Sequence, residues 1–196
     1  MSSIRYIIVA VSVLLLVACA TAPKNGPEEV TPITAGPRQT GPMSAEKGDV
    51  NGDGKPDVWN YYKEVADPND ATSTTKILVK KEADLNFDNK KDIVREFDDD
   101  GVLLREEADL DYDGNIDQVN LYDNGILTEK QLFRGKAGAV FIWKFFKDGK
   151  LARLHRDDTG DGKADYCELW YAGEKLSKKG WDKTGNGECD YWENAE

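Results

Sequence analysis

Leucine returns along this chain at a nearly fixed interval: Leu78, Leu103, Leu127, Leu151 and Leu176 follow one another at 25, 24, 24 and 25 residues. Before three of them stand turn-forming runs, DDDG ending at Gly101, YDNG ending at Gly125 and FKDG ending at Gly149. Such runs suit tight hairpin turns. Short segments such as QVNLY from Gln118 and CELWY from Cys167 alternate apolar and polar residues, the period of a half-buried strand. No stretch carries the 3.6-residue period of an amphipathic helix. The pattern predicts an all-β chain over 48–196: an elongated antiparallel meander of tandem 24–25-residue β-hairpin repeats, each hairpin depending on its neighbours for burial.

A second series keeps the same period. DVNGDGKPD begins at Asp49, DLNFDNKKD at Asp84, DLDYDGNID at Asp109, DDTGDGKAD at Asp157 and DKTGNGECD at Asp182, so the steps are 35, 25, 48 and 25 residues. The step of 48 is two of 24, and FRGKAGAVF, from Phe133 to Phe141, occupies the skipped place with Gly138 kept and every carboxylate lost. The first step carries ten extra residues, attributed to the polar stretch around DPNDATSTT. The frame therefore has six slots, five of them filled, and places Asp-rich loops (numbered 1 to 5 in chain order) along one sheet edge and tight turns along the other.

Each loop repeats an alternation of oxygen-bearing side chains. Positions 1, 3, 5 and 9 are Asp49, Asn51, Asp53 and Asp57 in loop 1, Asp84, Asn86, Asp88 and Asp92 in loop 2, and Asp109, Asp111, Asp113 and Asp117 in loop 3. They are Asp157, Thr159, Asp161 and Asp165 in loop 4, and Asp182, Thr184, Asn186 and Asp190 in loop 5. Position 6 is Gly, or Asn89 in loop 2, residues that accept the left-handed conformation of a sharp turn. Turn formation alone explains Asp, Asn and Gly, but not oxygens at alternate positions in one frame. Calcium does: it takes six to eight hard oxygen ligands, which such a loop supplies from positions 1, 3, 5, 7 through a backbone carbonyl (Lys55 in loop 1), 9 and 12.

The five segments resemble the calcium loops of EF-hands, dockerins and thrombospondin type 3 repeats. The resemblance implies Ca2+ as cofactor and a bidentate Glu at position 12, present as Glu168 and Glu193 in loops 4 and 5 and replaced by Asn60, Arg95 and Asn120 in the others. On that count loops 4 and 5 are expected to bind most tightly and loop 2 least. No flanking helices are expected, so the helix-opening switch of calmodulin-type sensors does not carry over. In plan the chain also resembles MORN-type and antitoxin-like hairpin repeats.

The N-terminus places this domain. One basic residue, Arg5, precedes an apolar run from Tyr6 to Ala18, too short for a comfortable membrane span and suited to an export signal. The run closes on Leu16-Val17-Ala18-Cys19, which is similar to the lipobox of bacterial lipoproteins. The resemblance implies signal removal after residue 18, acylation of Cys19 and a stable lipid anchor to the membrane. Ala20 in place of Asp implies the outer membrane. Residues 19–47, with Pro23, Pro27, Pro32, Pro37 and Pro42, read as a tether. Outside the cytoplasm Cys167 and Cys189 are free to pair, although the repeat frame sets them far enough apart to leave a disulfide open.

Without Arg5 the chain carries 25 basic and 37 acidic residues, a charge of −12 that repels nucleic acid. Five divalent ions would bring it to about −2. No nucleophile, phosphate loop or zinc pattern is present, no small-molecule substrate is indicated, and the lone His155 reads as a surface strand residue, so an enzyme is not expected. The aromatics, Trp59, Tyr61, Tyr62, Trp143, Trp170, Tyr171 and Trp192, read chiefly as residues filling a packed sheet face. Two functions are compatible with these features. One is a calcium-stiffened structural component with an envelope protein partner, whose plan resembles lipoproteins of the adventurous gliding motility machinery. The other is a carbohydrate-binding surface module.

Overall fold

A computed structural model describes residues 43–67, 70–135, 138–171 and 173–196. Cys19, the signal segment and the tether as far as Pro42 lie outside the described residues. Twelve strands pair in sequence order in one antiparallel sheet. They are β1 (Ser44–Gly48), β2 (Val58–Asp67), β3 (Asp70–Ala83), β4 (Ile93–Phe97), β5 (Leu103–Ala108) and β6 (Gln118–Asp123), followed by β7 (Ile126–Arg134), β8 (Ala139–Lys147), β9 (Lys150–Arg156), β10 (Tyr166–Tyr171), β11 (Lys175–Trp181) and β12 (Tyr191–Asn194). The meander expected from the repeat is the one observed. Its first strand begins at Ser44, within the segment read as tether.

The two edges differ as the pattern requires. Loops 1 to 5 join β1 to β2, β3 to β4, β5 to β6, β9 to β10 and β11 to β12, while the carboxylate-free slot between β7 and β8 is a short turn. At the opposite edge Asn124–Gly125 (φ 49° and 75°) and Asp148–Gly149 (φ 50° and 73°) carry two successive left-handed residues, the requirement of a type I′ hairpin turn. The leucine series lies beside these turns, and each leucine faces an aromatic residue: Tyr62 opposite Leu78, Phe97 opposite Leu103, Tyr122 opposite Leu127, Phe146 opposite Leu151 and Trp170 opposite Leu176. Every one of these pairs follows a β-bulge, so the two-residue alternation shifts at the same place in each hairpin.

Among the described residues the sheet has no second layer, which corrects the expected packed face. Register places Trp59, Val119, Trp143, Cys167 and Trp192 in one row, but Glu82, Glu107 and Gln131 share it. All five tryptophans are half-buried, covered by neighbours on their own sheet rather than by an opposing one. Burial is concentrated at Val79, Val119, Leu121, Phe145 and Cys167, and long Lys, Arg and Glu stems cover much of the remainder. His155 is also half-buried, edge-on to Phe145 at 5.3 Å, and burial together with the Arg153 charge lowers its pKa to about 4.

Cys167 and Cys189 form a disulfide, with Cα atoms 6.2 Å apart. Cys189 lies in the loop before β12 and not on the strand, which brings it nearer than a strict strand frame allows. Gly180 stands opposite both Cys167 and Trp192, and a Cβ there would lie 2.7 Å from the Trp192 ring. Only glycine fits beneath that ring. The Trp192 indole N–H in turn donates to the Cys189 carbonyl at 2.8 Å.

Candidate metal centres

Each Asp loop is closed first by its backbone. The N–H of position 9 donates to the carbonyl just before position 1: Asp57 to Gly48 (2.8 Å), Asp92 to Ala83 (2.9 Å), Asp117 to Ala108 (2.9 Å), Asp165 to Arg156 (2.9 Å) and Asp190 to Trp181 (3.1 Å). Position 1 then bonds to the preceding unit, as where Asp84 donates to Asp57, Asp109 to Asp92 and Asp182 to Asp165, at 2.8, 2.8 and 3.0 Å. Positions 1 and 9 thus extend the sheet by one more row.

The carboxylates at these two positions organise the interior of the loop. That of position 9 accepts from the N–H of position 2, as Asp57 from Val50 (2.8 Å), Asp117 from Leu110 (2.7 Å) and Asp165 from Asp158 (2.7 Å). That of position 1 accepts from the N–H of position 6: Asp49 from Gly54, Asp84 from Asn89, Asp109 from Gly114, Asp157 from Gly162 and Asp182 from Gly187, all between 2.6 and 2.8 Å. Smaller turns complete the fold, with Asn51 accepting from Asp53, Asn86 from Asp88, Asp53 from Lys55, Asp161 from Lys163 and Asn186 from Glu188. Multiple N–H donors favour the ionised carboxylate. Asp182 is held at about 2, chiefly by Gly187, against an opposing effect of burial and with help from Gly185 and Thr184. Burial pushes Asp157 up, but bonds from Gly160, Gly162 and Thr159 leave it below its ordinary value.

Position 6 is left-handed in every loop, including Asn89 at φ 70°, as expected. Position 4 is left-handed too, which was not expected. Gly52, Gly160 and Gly185 supply it in loops 1, 4 and 5, but Phe87 (φ 64°) and Tyr112 (φ 63°) do so in loops 2 and 3. A residue with a Cβ is disfavoured there by roughly 1–2 kcal/mol.

Loop 3 differs from the rest. Asp109, Asp111 and Asp117 each bring an oxygen within 4.8 Å of the others, and this is the one such group of three acids among the described residues. Asp109 is 2 % exposed, and its Oδ1 is buried without a hydrogen-bond partner. In loops 1, 2, 4 and 5 the corresponding residue uses both oxygens, taking a second N–H from Gly52, Phe87, Gly160 and Gly185. Asp92 Oδ1 in the adjoining loop 2 is likewise buried and unpaired. A carboxylate oxygen shut away from water without a donor is costly, and a cation among the three acids would satisfy it. Asp113 lies outside the group and accepts from the backbone and side chain of Asn115.

The acidic side chains at position 12 have partners on their own strands. Glu168 accepts from the Tyr166 hydroxyl and the Trp170 indole, both at 2.9 Å, and Glu193 accepts from the Tyr191 hydroxyl at 2.9 Å. In an EF-hand a helix follows position 9 and three residues advance only ~4.5 Å. Here they belong to β10 and β12 and advance ~10 Å along the strand, away from the loop.

Neighbouring loops also touch. Lys90 at position 7 of loop 2 donates to the Asp113 carbonyl (3.2 Å) and packs on Gly114, and Lys163 of loop 4 donates to the Gly185 carbonyl (2.8 Å) and packs on Gly187. No protein-family model matches this chain, and a search of curated proteins finds no relative.

Proposed function

We propose that the chain is a calcium-binding structural component of a bacterial cell envelope, anchored through acylated Cys19 and engaging a protein partner there. The observation that carries the cation reading is the unpaired, buried Asp109 Oδ1 beside Asp111 and Asp117. The donor set is all oxygen and rich in carboxylate, which suits a hard divalent ion. Calcium is favoured over magnesium because loops of this kind do not impose the near-ideal octahedron that magnesium demands. The envelope assignment rests on the signal-like run, Leu16-Val17-Ala18-Cys19 and the proline-rich tether. A place in gliding machinery follows from likeness of plan alone. The half-buried tryptophans favour a scaffold over a sugar-stacking platform.

Thermal melting of the full chain in calcium, magnesium and chelator tests the cation reading. One site at ten times its Kd adds about 1.4 kcal/mol. Calcium is expected to raise the melting temperature, magnesium to do so far less, and equal melting in calcium and chelator sinks the proposal. Substituting Cys19→Ser tests the anchor: the protein should lose incorporated lipid and leave the membrane fraction.

A further inference from the structure

Apolar side chains project from the Asp loops unevenly. Loops 1, 2 and 3 carry Val50, Leu85 and Leu110 at position 2, exposed by 70, 51 and 59 %, where loops 4 and 5 have Asp158 and Lys183. At position 4, Phe87 and Tyr112 are each 45 % exposed and left-handed, where the other loops use glycine. The Lys90 bond to the Asp113 carbonyl joins loops 2 and 3, so Leu85, Phe87, Leu110 and Tyr112 belong to one stretch of edge. The sheet gains nothing visible from holding two exposed aromatic rings in a conformation that glycine adopts freely.

The same loops leave a cation incompletely wrapped. In loop 3 Asp113 lies outside the group, and Asp109, Asp111 and Asp117 each have one oxygen held by backbone N–H groups, which leaves three carboxylate oxygens and one backbone carbonyl against the six to eight oxygens that calcium takes. The remaining oxygens must come from water or from another molecule. We propose that the edge formed by loops 2 and 3 docks on a phospholipid bilayer, with the cation of loop 3 taking a headgroup phosphate oxygen and the four apolar side chains entering the interface. This rests on the cation reading above. Without the ion the carboxylates repel phosphate, and with it the repulsion becomes a bridge. Amphipathic surfaces bind bilayers through such combined apolar and electrostatic contact.

The chain outside the described residues favours a bilayer as the occupant. Ser44 lies 25 residues beyond Cys19, a length of chain that spans at most roughly 80–90 Å, and β1 adds about 16 Å up to the loop edge. An acylated Cys19 therefore keeps this edge within touching distance of the membrane that holds it.

The test uses the full lipidated chain in vesicles of phosphatidylcholine and phosphatidylglycerol with acyl-brominated lipid as quencher. Tyr112→Trp reports on the patch and Lys183→Trp on loop 5, each after subtraction of the parent signal. Calcium should at least double the quenching of the Tyr112→Trp reporter relative to chelator, leave Lys183→Trp unchanged, and lose its effect when Leu85→Ser and Leu110→Ser are added. The calcium-dependent melting shift is measured on the same samples. Absent quenching with that shift intact overturns the docking proposal alone, and loss of both overturns the cation reading with it. Equal quenching in chelator removes the phosphate bridge. A calcium-dependent dimer in lipid-free detergent, without quenching in vesicles, overturns the bilayer in favour of a second copy.

Discussion

In loop 3 the first Asp keeps one oxygen unpaired inside the fold, whereas in loops 4 and 5 the same residue has donors at both oxygens. The contrast lies at position 4, whose N–H supplies the second donor in loops 1, 2, 4 and 5. Thr159 and Thr184 turn their hydroxyls toward Asp157 and Asp182, at 3.4 and 3.2 Å, and so add a proton donor from within the loop. Asp111 has none to give. One spacing therefore supports two ways of neutralising a buried carboxylate, by internal N–H and O–H groups or by an external cation. Loop 5 has a further restraint in the Cys167–Cys189 disulfide, and loop 3 has no counterpart.

The largest expected effect separates the two regions by their covalent restraint. Replacing Cys167 and Cys189 together by Ser opens a closure spanning 22 residues, worth about 3 kcal/mol in the chain-entropy account. Amide hydrogen exchange should quicken in β11 and β12 and hardly change in β5 and β6. Equal acceleration in both would show that the sheet opens as one unit rather than from its end.

A smaller effect separates the two kinds of ligand. In Asp109→Asn about 1.4 kcal/mol of calcium-linked stability at ten times Kd should disappear, while Glu168→Gln should leave the linkage intact. Calcium titrations of the melting temperature of both variants decide this, and an equal loss at Glu168 would return position 12 to the ligand set.

Next comes the left-handed fourth position. Tyr112→Gly or Phe87→Gly should gain about 1 kcal/mol by relieving the backbone, and Gly160→Ala should lose a similar amount. Chemical denaturation in chelator measures both. Destabilisation by Tyr112→Gly would reveal a contact that holds the ring.

The subtlest contrast is in acid. Asp182 titrates at about 2 in the folded chain, below the ~3.9 of an unfolded Asp. Its contribution is therefore fully present above about pH 4 and is lost as the pH falls toward 2. Carboxyl chemical shifts followed by NMR should place the Asp182 midpoint near 2, and a midpoint near 4 would mean that the Gly187 and Gly185 N–H groups do not hold it in solution.

Period, slots and edges were legible because they depend on local signals: alternation in QVNLY and CELWY, turn residues before Gly125 and Gly149, and Asp at fixed offsets. Properties that depend on register or chain direction were not. The offset of Glu168 matches an EF-hand, but only a helix after position 9 would bring it back to the loop. The facing of Leu78 by Tyr62 and its four repeats required the bulges, which periodicity does not reveal. The left-handed Phe87 and Tyr112 fall where three sister loops have glycine, and aligning the loops by position would have exposed the exception. The disulfide turned on Cys189 lying just before β12, a boundary that composition does not mark.

Between β7 and β8 the acidic loop is absent, yet the ladder continues: Phe133 donates to the Asp117 carbonyl at 2.8 Å, Asp157 to the Phe141 carbonyl at 2.9 Å, and the Arg134 guanidinium reaches the Asp157 carbonyl at 3.2 Å. The strands on either side need no metal loop to keep their register. Each loop is accordingly a cassette whose carboxylates are dispensable to the scaffold, since FRGKAGAVF keeps the length and spacing of the series without them. Grafting a foreign peptide between Gly135 and Gly138 would use the same freedom, adding a recognition element to a sheet that already accommodates a vacancy in its series.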